Sequence, residues 1–369
     1  MKSRVYFADI RNRSGGESTI SMLNRLIAAV GCADRIDPGD LVAVKLHFGE
    51  RGCDTYTSPV HVRQIVDAVR AAGGQPFLTD TNTLYSGGRR CSPDHIETAI
   101  RHGFAYAVAG APVIIADGLT GGNYREIAIR GRHFQRVLIA GDIVDADAMI
   151  VVSHFKGHIC AGFGGAVKNL GMGCAPPRGK HEQHAALQPV VLADLCTACG
   201  TCATICPEGA ASVDSGTARI ATARCVSCGQ CVDTCPESAI IFDWEHDIAP
   251  FTERLCEYAL GAVAGKEDKT VYINFAVDIT PHCDCAPWSD APIVPDIGVL
   301  ASADPVALDA ACLDLVNTQA GCPGTLLEHN TAPGEDKFGG LWPHTQGPLQ
   351  LAYAEAIGLG SRQYQLMRI

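Results

Sequence analysis

The stretch Leu41–Asp80, LVAVKLHFGERGCDTYTSPVHVRQIVDAVRAAGGQPFLTD, contains a strand, a helix and a second strand in succession. Leu41–His47 and Pro76–Asp80 are short runs rich in apolar and β-branched residues, which suit a buried strand. Pro59–Ala72 is amphipathic and of helical length. Ser58-Pro59 supplies its cap and first helical residue, and Gly73-Gly74 ends it. The same alternation continues on both sides. Val5–Ile10, Pro112–Asp117, Ala148–Ser153 and Thr270–Ala276 read as strands, and Glu17–Val30, Phe251–Ala264 and Asp304–Thr318 as helices. The expected fold is therefore α/β, a mainly parallel sheet flanked by helices.

Residues 191–242 break this texture. They are rich in Cys, Gly, Ala and Thr and contain an internal repeat: CTACGTCATICP begins at Cys196 and CVSCGQCVDTCP at Cys225. Each copy spells C-x2-C-x2-C-x3-C-P, the pattern of bacterial ferredoxins that carry two clusters. Three thiolates on one tight loop cover three irons of a cubane, while the fourth cysteine lies on a diverging segment and reaches the other cluster. This logic assigns Cys196, Cys199, Cys202 and Cys235 to one [4Fe-4S] cluster, and Cys225, Cys228, Cys231 and Cys206 to the other. A pair of zinc knuckles fits less well, because zinc ribbons pair two separate C-x2-C units and need neither the third cysteine nor the proline. The expected organisation is an α/β domain in two parts, 1–190 and 243–369, with the two-cluster module 191–242 inserted between them.

Composition limits the partners. With 29 Lys+Arg against 40 Asp+Glu the formal net charge is −11, which argues against nucleic acid or an anionic membrane as the main partner. The first residues contain no apolar stretch of signal-peptide length, and no run of about 18 apolar residues occurs anywhere. A cytoplasmic location is expected, and there clustered cysteines read as metal ligands rather than disulfides. Of the 18 cysteines, Cys32, Cys256 and Cys312 read as core packing.

Ligands of an open parallel sheet gather outside the carboxyl ends of its strands, where His47, Asp80 and His154 fall. The loop His154–His184 carries four Lys/Arg and one acid in an otherwise acidic chain. Its glycines would let backbone N–H groups close on a phosphate or carboxylate, with Lys156 and Lys168 supplying charge. Lys156, His158, Lys168 and Asn169 are the candidate catalytic residues, a Lys or His orienting the anion and delivering a proton. Metal binding competes for the same corner. HCDC (His282–Cys285) brings two thiols together after a strand, and Cys283 and Cys285 with Cys174 or a histidine such as His184 form a candidate third metal site. Asp304, before Pro305, reads as a helix cap.

HFGERGCDTYTSP, LTDTNTLYSGGRR, SHFKGHICAGFGGAVKNLGMGC, the doubled cysteine motif and HCDCAPWSDAPIVPDIGVLASADPVALDAA together resemble the domain-of-unknown-function family numbered three hundred and sixty-two, in its ferredoxin-containing form. The resemblance implies an iron–sulfur protein of largely anaerobic microbes with no agreed reaction. The functional expectation is an oxidoreductase that relays electrons between a soluble partner protein and an anionic small molecule or metal centre at the basic loop. The alternative is a non-enzymatic electron carrier, or a metal- or cluster-handling protein that uses the His/Cys-rich corner.

Overall fold

The computed structural model describes residues 2–11, 18–185, 187–243 and 247–369. The central strands, in chain order, are β1 (Ser3–Asp9), β2 (Leu41–Lys45), β3 (Gln75–Asp80), β4 (Val113–Ile115), β5 (Ala148–His154), β6 (Thr270–Ala276), β7 (Gly298–Ser302) and β8 (Tyr364–Arg368). They form one sheet in the order β8-β1-β7-β6-β5-β2-β3-β4. Only β7 runs against its neighbours, pairing antiparallel with both β1 and β6. The sheet is thus mixed and mainly parallel.

Side-chain alternation explains the two cores. In β2, Val42 and Val44 face one side and Ala43 the other; in β5, Ile150 and Val152 face the first side, Met149 and Val151 the second. Helices Thr19–Ala29 and Pro59–Ala71 cover the first face with Leu23, Leu26, Ile65 and Val69. Helices Ile248–Val263 and Pro305–Asn317 cover the second with Phe251, Leu255, Val306 and Leu308. Every residue of β5 and β6 is buried, as expected for parallel strands covered on both sides.

Helix ends follow local chemistry. Asp304 caps its helix by accepting from the Val306 and Ala307 amides at 2.9 and 3.0 Å. The first helix begins at Thr19, capped by a reciprocal Ser18–Ser21 pair; Glu17, the expected first residue, lies outside the described residues. Among the described residues, two strands of the central sheet are not apparent from the sequence. β7 is a five-residue run behind a proline-rich turn, and β8 is a half-buried edge strand at the end of the chain.

The cysteine-rich segment is closed at its base, where Pro189–Val191 pairs antiparallel with Ile240–Phe242. It holds two short helices, Thr201–Ile205 and Gln230–Asp233, and the hairpin Ala211–Asp214/Thr217–Ile220. Among the described residues no helix is long and apolar enough to cross a membrane.

Candidate functional site

The carboxyl ends of β2, β3 and β5 carry a buried charge network. Asp80 ends β3, and its carboxylate lies 3.0 Å from Lys45 Nζ, 3.3 Å from Arg89 Nη1 and 3.7 Å from His95 Nε2. Burial would raise this carboxyl, but Lys45, His47, His95 and Arg89 outweigh it and hold the group well below the usual carboxylate range. Arg89 also pairs with Glu50 and donates to the Tyr85 hydroxyl. His95 is fully buried, neither ring nitrogen has a hydrogen-bond partner among the described residues, and burial pushes it down to about 3.

A second network lies at the end of β5. Asp284 Oδ1 accepts from His154 Nδ1 at 2.7 Å, and Oδ2 lies 2.9 Å from Lys156 Nζ. The Asp284 carbonyl accepts from the Glu50 amide at 2.8 Å, which joins the two networks. Asp284 occupies the second position of a tight turn closed by Ala286 N–H donating to the Cys283 carbonyl at 2.9 Å. Cys283 and Cys285 flank it, and their sulfurs and a ring nitrogen of His158 all lie within 4.8 Å of one another, close enough to share a metal ion. Lys168 Nζ donates to Cys283 Sγ at 3.5 Å. The Cys285 hydrogen bond and Lys168 push Cys283 down, while Cys285 is pushed up by sharing that bond and by burial.

Two glycines allow this assembly. A Cβ on Gly157 would fall 2.3 Å from the Pro281 carbonyl oxygen, so only glycine lets the Lys156–His158 strand reach the turn. A Cβ on Gly165 would fall 2.3 Å from Asp309 Oδ1. That carboxylate accepts from the Ala166 and Val167 amides at 2.8 and 2.9 Å. Two of the loop amides expected to cradle an external anion therefore bind the chain's own Asp309.

In the cysteine-rich segment, one concavity is lined by Cys196, Cys199, Cys202 and Cys235, and a second by Cys206, Cys225, Cys228 and Cys231. The two copies repeat their backbone. Ala198 and Ser227 have φ of 57° and 53°, and Gly200 and Gly229 both have φ of 80°. Amides point at sulfur in equivalent places: Ala210 N–H donates to Cys206 Sγ at 3.1 Å and Ala239 N–H to Cys235 Sγ at 3.3 Å. The second concavity is the one held against the α/β body. Gln230 Nε2 donates to the Ser86 carbonyl at 3.1 Å, and His184 Nδ1 donates to the Ser227 carbonyl at 3.2 Å.

The family model described as "Domain of unknown function (DUF362)" matches residues 42–314. The chain belongs to this family. No curated protein matches it. Among solved structures it resembles the lactate racemase apoprotein from Thermoanaerobacterium thermosaccharolyticum. The identity is 12% and the TM-score 0.44, over 88% of this chain and 60% of that one. It also resembles a protein from Thermotoga maritima, with 10% identity and a TM-score of 0.35, over 70% of this chain and 49% of that one. The chain thus spans less than two thirds of either.

In this DUF362 member the candidate residues play unequal parts. His158 and Lys168 face the thiol pair. Lys156 is committed to Asp284 and to the His154 carbonyl. Asn169 is a bridge: it donates to Val152 O and Ser153 Oγ and accepts from Lys45 at 2.6 Å. Of the expected third-metal set, Cys283 and Cys285 lie together, and among the described residues the group around them includes neither Cys174 nor His184. Cys174 is buried beside Asn169 with its thiol pushed up to about 11 by burial. His184 packs edge-on against Phe251 and is pushed down to about 4 by burial. His282 packs between Trp288 and Trp342. His158 takes the third place beside Cys283 and Cys285. The sequence pattern assigned no role to Lys45, Arg89 or His95, and it offered Asp284 as a potential metal ligand of the HCDC turn, not as the partner of His154 and Lys156. A lysine inside an apolar strand and an acid between two cysteines were the available signals.

Proposed function

We propose that the chain is an iron–sulfur electron-transfer protein, an oxidoreductase that relays electrons between a soluble partner protein and a small anion at the strand-end site. The observation that carries this reading is the pair of concavities, each lined by four cysteines drawn from both copies of the repeat. The donor set is all thiolate, the set that holds [4Fe-4S] clusters. Bound there, the clusters supply one-electron transfer.

The chain's own groups support that role. Amides of Ala210, Ala218, Ser227 and Ala239 donate to ligand sulfurs at 3.1–3.4 Å, which stabilises negative charge on them. Among its described residues the segment buries mostly small apolar side chains, Cys202, Ala210, Ala211, Ala218 and Ala239 with Ile240, while Phe242 packs into the core of the α/β body, too little to order roughly 50 residues without a staple. All its described cysteines are free of disulfides, so a metal cluster is the fitting staple. Cys199 is exposed and marks where a soluble partner exchanges electrons. Gln230, in the lining of the second concavity, donates to the Ser86 carbonyl, and the neighbouring Tyr85 lies within electrostatic reach of Cys283 and Cys285. There Lys168 and His158 hold an anion and supply protons. A reducing cytoplasm, and an anaerobic one, suits such a protein.

A second reading, metal handling, is favoured by the grouping of His158, Cys283 and Cys285 within 4.8 Å. Elemental analysis of anaerobically purified protein separates the two readings. About eight irons per chain with no other metal supports the relay. Stoichiometric zinc or nickel that is lost on Cys283→Ser replacement supports metal handling.

A further inference from the structure

We propose that Cys283 and Cys285 are a redox-active dithiol–disulfide pair that stores two electrons received singly from the cysteine-rich segment. This inference rests on the electron-transfer reading above and deepens it. A small molecule that reacts by electron pairs needs such a store between itself and one-electron donors.

Geometry favours a disulfide here. The two residues occupy the first and third positions of the turn closed by Ala286 N–H. This spacing puts their Cα atoms roughly 5–6 Å apart, within the range a disulfide bridges. Their sulfurs already lie within 4.8 Å. The turn is pinned from behind, since Asp284 is held by His154 and Lys156 through its side chain and by the Glu50 amide through its carbonyl. Asp284 is a positioning residue that presents both thiols on one side.

The histidine is poorly set for metal ligation. His158 Nδ1 accepts from the Cys160 and Ala161 amides, both at 3.1 Å, so the proton of the neutral ring sits on Nε2. Neither nitrogen offers a free lone pair, but Nε2–H remains a proton donor. Lys168 Nζ, 3.5 Å from Cys283 Sγ, supplies the cation that a thiolate needs. On the input side, Tyr85 lies within electrostatic reach of both thiols, and its neighbour Ser86 is hydrogen-bonded to Gln230 between two ligands of the second concavity.

The disulfide takes up two electrons from a one-electron iron–sulfur donor and one proton from the site, and the S–S bond breaks. Cys285 leaves as the thiol and Cys283 as the thiolate paired with Lys168. Handing the pair to an acceptor re-forms the bond and releases the proton.

The test is thiol trapping on the anaerobically purified holoprotein. The protein is equilibrated in dithiothreitol redox buffers and quenched with iodoacetamide, and the tryptic peptide Thr270–Lys337, which holds Cys283, Cys285, Cys312 and Cys322, is weighed. The expected result is loss of two alkylations on oxidation, mapping to Cys283–Cys285 and absent in Cys283→Ser. Lys168→Met disfavours the thiolate and shifts the midpoint by about tenfold in the dithiothreitol ratio, toward the disulfide. Reduced methyl viologen should restore both alkylations in the native chain, and at least tenfold more slowly in Cys206→Ser. A peptide that stays fully alkylated, or a stoichiometric metal bound at these thiols, overturns the inference. Equal reduction rates in the native chain and Cys206→Ser overturn the supply of electrons from the segment. Iron content and the cluster spectrum, read on the same samples, report separately on the electron-transfer reading.

Discussion

The Asp284 carboxylate and the Lys156 ammonium lie 2.9 Å apart, and both are buried. Burial alone would push the lysine down, but Asp284 and the Cys283 sulfur outweigh it and raise it. Asp284 is in turn held well below its usual range, because His154 and Lys156 overcome its desolvation. Removing one member strands the other in a medium that penalises unpaired charge. Asp284→Asn keeps the shape and removes the charge, and is expected to destabilise the fold by about 3–5 kcal/mol in urea unfolding. Asp67→Asn, at the exposed pair with Arg63, is expected to cost less than about 1 kcal/mol.

His95 makes the fold acid-sensitive. Its folded pKa is pushed down to about 3 from 6.5 by burial. Between those values the unfolded chain binds a proton that the folded chain refuses, so stability falls as pH drops from about 6.5 toward about 3. The slope for this group alone approaches ~1.4 kcal/mol per pH unit. Asp80 and Asp284, both held low, add a loss of the same sign below about pH 4. Unfolding free energy measured against pH should fall across this window. In His95→Phe the part between about pH 6.5 and about pH 4 should flatten relative to the native chain.

Much of this architecture is local in origin and therefore visible in the sequence. The Leu41–Asp80 unit, the Asp304 cap and the repeat at Cys196 and Cys225 depend on residues close in the chain. The charge network is different. Lys45 meets Asp80 because β2 and β3 pair in parallel with Lys45 opposite Thr79, a register that no single-strand pattern states. The choice of His158 over Cys174 or His184 beside the thiols turns on Gly157 lying against Pro281, a contact between segments more than a hundred residues apart. The partner of two amides in the Gly-rich loop, those of Ala166 and Val167, was hidden for the same reason: it is Asp309, far along the chain.

Lys168 separates charge at the thiol pair from cluster assembly. Lys168→Ala removes the cation 3.5 Å from Cys283 Sγ and touches neither concavity. The alkylation rate of Cys283 should then reach half its plateau at a higher pH, as the thiolate loses its stabilisation. Iron content should stay unchanged, and any turnover that depends on the site should be abolished.

Cys206 tests the crossed ligand arrangement. It lies in the first copy of the motif yet lines the second concavity. Cys206→Ser should alter the cluster signal of the concavity nearer Gln230 and leave the other intact, so that iron falls from about eight toward about four per chain. Loss of the signal belonging to Cys196, Cys199 and Cys202 instead would show that the copies do not cross.

The most direct measurement is the iron and acid-labile sulfide content of the anaerobically purified chain, with its electron paramagnetic resonance spectrum after reduction. The two-cluster assignment requires about eight irons and about eight sulfides per chain, with the signal of two interacting [4Fe-4S] clusters. Zinc at the eight cysteines, or protein that folds with neither iron nor sulfide, would contradict it.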